Sequence, residues 1–254
     1  MSTVPATAAA WATADPYAAA LRRGHGPLFL RRADGWLLPL EVERWCARAD
    51  AVDREVLDRC EGTVLDVGCG PGRLVAELAA RGRAVLGIDV SAAAVDRTVR
   101  LGGPALRRSV FEPLPGEGRW ATVLLMDGNI GIGGDPRALL DRVAVLLRPG
   151  GLLIAETALV DVDERAQVQV VGPTATGEAD AHFPWARLGT RALLRYARGW
   201  EPVGQWTTGG RCFAALRSRR SRTASSSAEA PKRTAVISSQ RARNMSAGSP
   251  VADR

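Results

Sequence analysis

The 254-residue chain has two histidines, His25 and His182, and four scattered cysteines, Cys46, Cys60, Cys69 and Cys212. None of these lies in a C-x-x-C pair or at metal-ligand spacing, which excludes a structural zinc centre and a disulfide framework. The cysteines read as reduced thiols, and no metal is expected. No apolar run approaches the ~20 residues that a membrane span needs. Alanine-rich Met1 to Ala14 lacks the basic n-region and sufficient h-region of a secretory signal, so a cytoplasmic protein with no membrane partner is expected. The net charge of +7 is lacking from most of the chain: residues 1–216 carry 25 basic and 25 acidic side chains. Residues 217–254 carry nine basic and two acidic ones. That end is rich in Ser, Arg and Ala and too poor in apolar residues to offset ordering entropy, so a disordered basic tail is expected, as is disorder over 1–14. The tail has no aromatics for base stacking, which argues against a nucleic-acid partner.

What the chain does have is the stretch Val64-Leu65-Asp66-Val67-Gly68-Cys69-Gly70-Pro71-Gly72-Arg73-Leu74. An apolar strand breaks into a turn that needs glycine where φ is positive or a ligand approaches the backbone. A helix then runs from about Gly72 to Arg81, with Gly82 as its stop. Such a unit presents unpaired N–H groups at the helix start and can hold an anionic group. The dinucleotide pattern G-x-G-x-x-G does not fit, because the third glycine, Gly72, comes one residue early and Arg73 follows. A second strand, Ala84 to Ile88, ends on Asp89, and Ser91 caps the next helix, through about Leu101. An acid at that strand tip can take both hydroxyls of a ribose.

The segment resembles motif I of the class I S-adenosylmethionine (SAM) dependent methyltransferases, small-molecule type. Arg148-Pro149-Gly150-Gly151-Leu152-Leu153 resembles the turn entering their fifth strand. The resemblance implies an α/β fold with a seven-stranded Rossmann-like sheet, mostly parallel with an antiparallel last strand. It also implies SAM as cofactor, held by Asp66 near the methionine end, by the loop of Gly68, Cys69, Gly70 and Gly72, by Asp89 at the ribose, by Val90 against the adenine, and by Asp127. Where the family often places an acid for the adenine amino group, this chain has Ser109. Adenine recognition then falls to the Ser109 hydroxyl, the Val110 backbone or Glu112.

Around that core (63–216) the patterns place two additions. Residues 15–62 form an N-terminal cap. It has a short helix opened by Asp15-Pro16, a hairpin of Leu28–Arg32 and Trp36–Leu40, and helices over Glu41–Cys46 and Ala51–Cys60, the latter capped by Asp50. An insertion at about 159–188 contains the alternating run Arg165–Val171 and a turn over Gly172–Gly177, and is expected to be a cap hairpin. The remaining core elements are strands over Ala105–Phe111, Trp120–Met126 and Leu152–Thr157, a helix opened by Asp135-Pro136, and a helix over Leu188–Ala197. A closing pair over Glu201–Thr207 and Arg211–Leu216 completes them.

SAM supplies the electrophile, so the protein's work is to align the acceptor and exclude water. A base is needed only for an acceptor protonated at neutral pH, and His182 and Asp127 are the candidates. Asn129, Trp36 and Trp185 are candidates to line the substrate pocket. The chain has no [D/N]-P-P-[Y/F] after the fourth strand and no Pro-Cys pair, which argues against exocyclic-amino DNA methylation and cytosine C5 chemistry. A small-molecule acceptor is the leading expectation. The alternatives are a SAM-binding domain without catalysis and an RNA-directed methyltransferase using the basic tail.

Overall fold

Strand β3 (Val64–Val67) is buried along its whole length, because parallel neighbours flank it and helices cover both faces. The computed structural model describes residues 15–172 and 182–219. The disorder expected for 1–14, most of the turn over 172–177, and the tail beyond Arg219 lie outside the described residues. The other core strands are β4 (Val85–Asp89), β5 (Ala105–Arg107), β6 (Trp120–Leu125), β7 (Leu147–Thr157), β10 (Trp200–Thr208) and β11 (Arg211–Ser218). They form a seven-stranded sheet in the order β10-β11-β7-β6-β3-β4-β5. β11 is antiparallel to both β7 and β10, while β3 to β7 are parallel.

Helices α3 (Ala51–Asp58), α4 (Arg73–Ala80), α5 (Ala92–Arg100), α6 (Pro136–Leu146) and α7 (Thr190–Tyr196) pack on this sheet. Their starts follow the sequence signals. Asp50 forms a capping box with Asp53, Ser91 accepts from the Ala94 N–H, and Asp135 accepts from Arg137 and Ala138. Fully buried Leu65, Ile88, Leu125 and Leu139 belong to one apolar cluster, and each such side chain contributes about 1.5–3 kcal/mol through burial.

Three expectations need correction. The strand expected over 105–111 stops at Arg107, since Ser109 to Glu112 form a turn in which the Glu112 carboxylate accepts from the Ser109 N–H. Phe183 to Trp185, expected to lead into a helix from about Leu188, belong to strand β9 (Phe183–Leu188), and the helix starts at Thr190. The last strand runs two residues past Leu216: Arg217 and Ser218 pair with Glu201 and Trp200, and Arg217 binds Glu61.

The largest difference concerns the additions. β1 (Phe29–Arg32) and β2 (Leu37–Pro39) form the leading hairpin, and β8 (Asp163–Val171) pairs with β9 as the insertion. β1 also pairs with β8, so hairpin and insertion fuse into one sheet, ordered β2-β1-β8-β9. Helix α1 (Asp15–Arg23) contributes Tyr17 and Leu21, and the loop ahead of β1 contributes Leu28, to the apolar cluster shared with Val168, Val170 and Phe183.

Candidate active site

The parallel strands β3, β4, β6 and β7 end along one edge, and the four-stranded sheet stands over it. Between them lies a cleft with a volume of about 380 Å³. At β3 the cleft is floored by Gly68, Cys69, Gly70 and Pro71, with Gly68 and Gly70 at positive φ. A Cβ added at Gly70 would come within 3.6 Å of the Tyr17 hydroxyl, which helix α1 lowers over the loop. At β4, Asp89 accepts from the Gly70 N–H (2.9 Å) and the Ser91 N–H (2.8 Å). Its burial pushes its pKa up to about 6 against those bonds. Val90, Ser109 and Val110 complete this end. Glu112 is occupied by the Ser109 N–H and does not line the cleft, and the Val110 carbonyl accepts from Arg142 (2.7 Å). The Ser109 hydroxyl, 3.3 Å from the Phe111 N–H, and the Val110 N–H are left for a ligand.

Two residues of the glycine motif serve the fold behind the cleft. Gly72, at φ +91°, does not line it. A Cβ there would lie 2.4 Å from the Thr98 hydroxyl oxygen, so glycine is needed for α5 to pack against the loop. Asp66 is likewise absent from the lining. It is buried in β3, its Oδ2 has no hydrogen-bond partner among the described residues, and burial pushes its pKa up to about 7. Cys69 is an inert filler: burial holds its thiol well above the usual range, and its sulfur packs against Gly87.

The far wall is ionic. Asp127, just after β6 and at φ +56°, binds Arg73 (2.7 and 3.0 Å) and Arg44 (2.8 Å), with Arg211 at 3.6 Å. Arg73 and Arg211 also bind Asp53 behind the wall, and Arg211 holds Glu156 through two hydrogen bonds. Burial would raise the Asp53 pKa, but hydrogen bonds and charge from Arg73 and Arg211 bring it down to about 2. The same logic holds Asp127 low: burial opposes ionisation, and Arg73, Arg44 and Arg211 overcome it. A carboxylate so paired is a poor proton acceptor, which corrects the expectation of Asp127 as a base. Asn129 lines the cleft, but its amide nitrogen donates to the Val67 and Gly68 carbonyls (both 2.9 Å), clamping the two loops together.

The inner face of the small sheet, with the segment leading into α2 (Val42–Cys46), supplies Leu30, Leu38, Leu40, Phe183 and Trp185. An isolated bridge between Ile132 and Trp185 fastens β9 to the loop after β6. Trp185 lines the cleft. His182 and Trp36 do not: His182 is exposed and outside the cleft, and Trp36 lies beyond its edge with the guanidinium groups of Arg32 and Arg187 over its ring. Tyr17, Arg44, Arg73, Glu156 and Arg211 line the cleft without a motif to announce them. Only Glu156 carries a signal, as an acid at the carboxyl end of β7, like Asp89 on β4.

A methyltransferase-domain family model matches residues 41–205. The chain belongs to that family of SAM-dependent methyltransferases. This methyltransferase is an enzyme whose cofactor is SAM, and the cleft fits it: the glycine cradle at Gly68 and Gly70 and the Asp89 carboxylate lie along one edge. No curated protein sequence matches the chain. Among solved structures, a SAM-dependent methyltransferase from Bacteroides fragilis in complex with S-adenosylhomocysteine (SAH) aligns with 85% of this chain and 97% of its own. It has 22% identity and a TM-score of 0.65. A glycopeptide N-methyltransferase complexed with SAH aligns with 68% of this chain and 90% of its own, at 17% identity and TM-score 0.52. A structure described as the conversion of a disulfide bond into a thioacetal group during echinomycin biosynthesis aligns with 80% of this chain and 92% of its own, at 20% identity and TM-score 0.54. These likenesses concern the fold, and the sheet order of the methyltransferase agrees with them. No helix among the described residues is long and apolar enough to cross a membrane.

Proposed function

We propose that this methyltransferase acts on a small-molecule acceptor. The observation that carries this reading is the fused four-stranded sheet, whose apolar inner face walls the cleft over the loop after β6 and leaves a concave site of small-ligand size. The neighbours named above, a glycopeptide N-methyltransferase and a protein associated with echinomycin biosynthesis, support it. Asp89 would take the ribose hydroxyls, Ser109 and the Val110 N–H the adenine, and the Gly68–Gly70 loop the methionine end, with the methyl group directed toward Trp185. SAM bound there supplies an activated methyl group. The protein positions the acceptor's lone pair and excludes water.

Neither histidine lines the cleft, and Asp127 is saturated by arginines. The acceptor is therefore one whose attacking atom is already unprotonated at neutral pH, such as an aromatic amine or an ionised acidic phenol or enol. The same shortage of bases supports, as a second reading, a SAM-binding domain without turnover. Incubation with methyl-labelled SAM, fractionated small metabolites and total RNA tests both. Label in a low-mass product supports the first, SAH-site binding without any transfer supports the second, and label in RNA alone overturns both.

A further inference from the structure

Five arginines line the cleft, and they are not equivalent. Arg73 and Arg211 are spent on Asp53, Asp127 and Glu156, and Arg44 on Glu41 and Asp127. Arg108 stands beside Ser109, at the adenosine end. Arg187, on β9 two residues beyond Trp185, makes no side-chain hydrogen bond among the described residues. It forms a partly exposed ion pair with Glu164 at 3.7 Å, beyond hydrogen-bond reach, so the pairing leaves its guanidinium donors open. Its guanidinium lies over the Trp36 ring, 5.7 Å from the centroid, beside a small apolar groove that shares Leu38 and Trp185 with the cleft.

We propose that Arg187 recognises the acceptor, and that the acceptor is an apolar, ring-bearing molecule carrying a carboxylate. A planar guanidinium fork with unspent donors pairs best with a planar, singly charged partner that can accept two parallel hydrogen bonds. A phosphate dianion would need a second cation, and Arg32, which shares the Trp36 ring with Arg187, is paired with Asp34, as Arg44, Arg73 and Arg211 are with the carboxylates of the ionic wall. The walls beside Arg187, Trp185, Phe183, Leu38 and Leu40, present aromatic and aliphatic surface for the rest of the molecule. The charge on the acceptor thus lies at the mouth, away from the ionic wall at Asp127, and fixes which end faces the methyl group. This inference rests on the small-molecule reading of the cleft.

The test uses the full chain saturated with SAH and three matched probe pairs: indole-3-acetate and indole-3-acetamide, 1-naphthoate and 1-naphthamide, hexanoate and hexanamide. Dissociation constants come from ligand-observed NMR. The aromatic acids should bind about tenfold or more tightly than their amides, the usual effect of a hydrogen-bonded charge, and more tightly than hexanoate. In Arg187→Met, whose side chain still covers Trp36, the acid preference should vanish while SAH affinity and melting temperature stay unchanged. Arg187→Lys should retain part of it. Equal binding of acid and amide, no binding of any acid, or a preference that survives in Arg187→Met overturns the proposal. A wild-type chain that does not bind SAH in the loading step overturns instead the reading beneath it.

Discussion

Arg44 and Asp127, 83 residues apart, meet across the cleft at 2.8 Å, so the N-terminal cap is tied to the loop after β6 by a charge pair. The same carboxylate holds Arg73, whose side chain is 4% exposed, and the two arginines differ in what they would lose. Asp127→Ala would leave the buried Arg73 with Asp53 alone and should cost about 3 kcal/mol in urea unfolding, at the low end for breaking a buried pair. Arg44→Ala, at the more exposed end, should cost about 1 kcal/mol or less. If Asp127→Ala leaves stability unchanged and removes only turnover, the carboxylate acts on the acceptor and its structural role is wrong.

Gly70 and Gly72 should fail in different ways. Gly70→Val puts a branched side chain under Tyr17 and in the cradle, so it should abolish the SAH-induced rise in melting temperature. Gly72→Ala collides with Thr98 at positive φ and should lower the melting temperature while leaving that rise in place, and Thr98→Ala should partly restore the loss. The opposite pattern would place Gly72 in the cofactor site.

The pH dependence has two components of opposite sign. The Asp66 and Asp89 pKa values are raised from 3.8 to about 7 and about 6, so the folded state holds these protons more tightly than the unfolded chain. Their contribution is full below about 4 and is lost as pH climbs through 6 to 7. Asp53 is lowered to about 2, and its contribution is present above 3.8 and lost as pH falls toward 2. Differential scanning should therefore find stability declining between pH 4 and 7, and Asp66→Asn should flatten the decline. Ribose hydroxyls favour the ionised Asp89, so SAH affinity should weaken as pH falls below about 6, and a curve that is flat there would remove Asp89 from the ribose role.

Trp185→Ala should alter methyl transfer to the metabolite pool several-fold with SAH affinity intact, because Trp185 lies on the acceptor wall. His182→Ala should change neither quantity. Loss of transfer in His182→Ala with SAH still bound would restore that residue as a base.

The C-terminal boundary is testable by truncation. Ending the chain after Leu216 removes the Arg217–Glu61 pair and the Ser218–Trp200 register. A fall in melting temperature of about 2–4 °C is expected from the loss of roughly 1 kcal/mol. Ending it after Arg219 keeps every strand described and should match the full chain in melting temperature and SAH affinity.

The sequence alone determined the features that depend on near neighbours. The turn at Gly68 to Gly72 requires positive φ, the caps at Asp50, Ser91 and Asp135 satisfy helix N–H groups within three residues, and the apolar runs of β3 and β6 mark strands covered on both faces. Asp89 is legible for the same reason, as an acid at a strand tip. Tertiary structure decided whatever depends on which distant segments meet. Arg31 and Gln169 hydrogen-bond across 138 residues because β1 found β8, and no periodicity in either strand names its partner. That pairing sends Trp185 into the cleft and Trp36 to its outside edge, although both are tryptophans in cap segments. It was equally the fold that changed the chemistry of Asp127: alone after β6 it is a candidate base, but with Arg44, Arg73 and Arg211 converging on it from three elements, its charge is neutralised and its proton affinity falls.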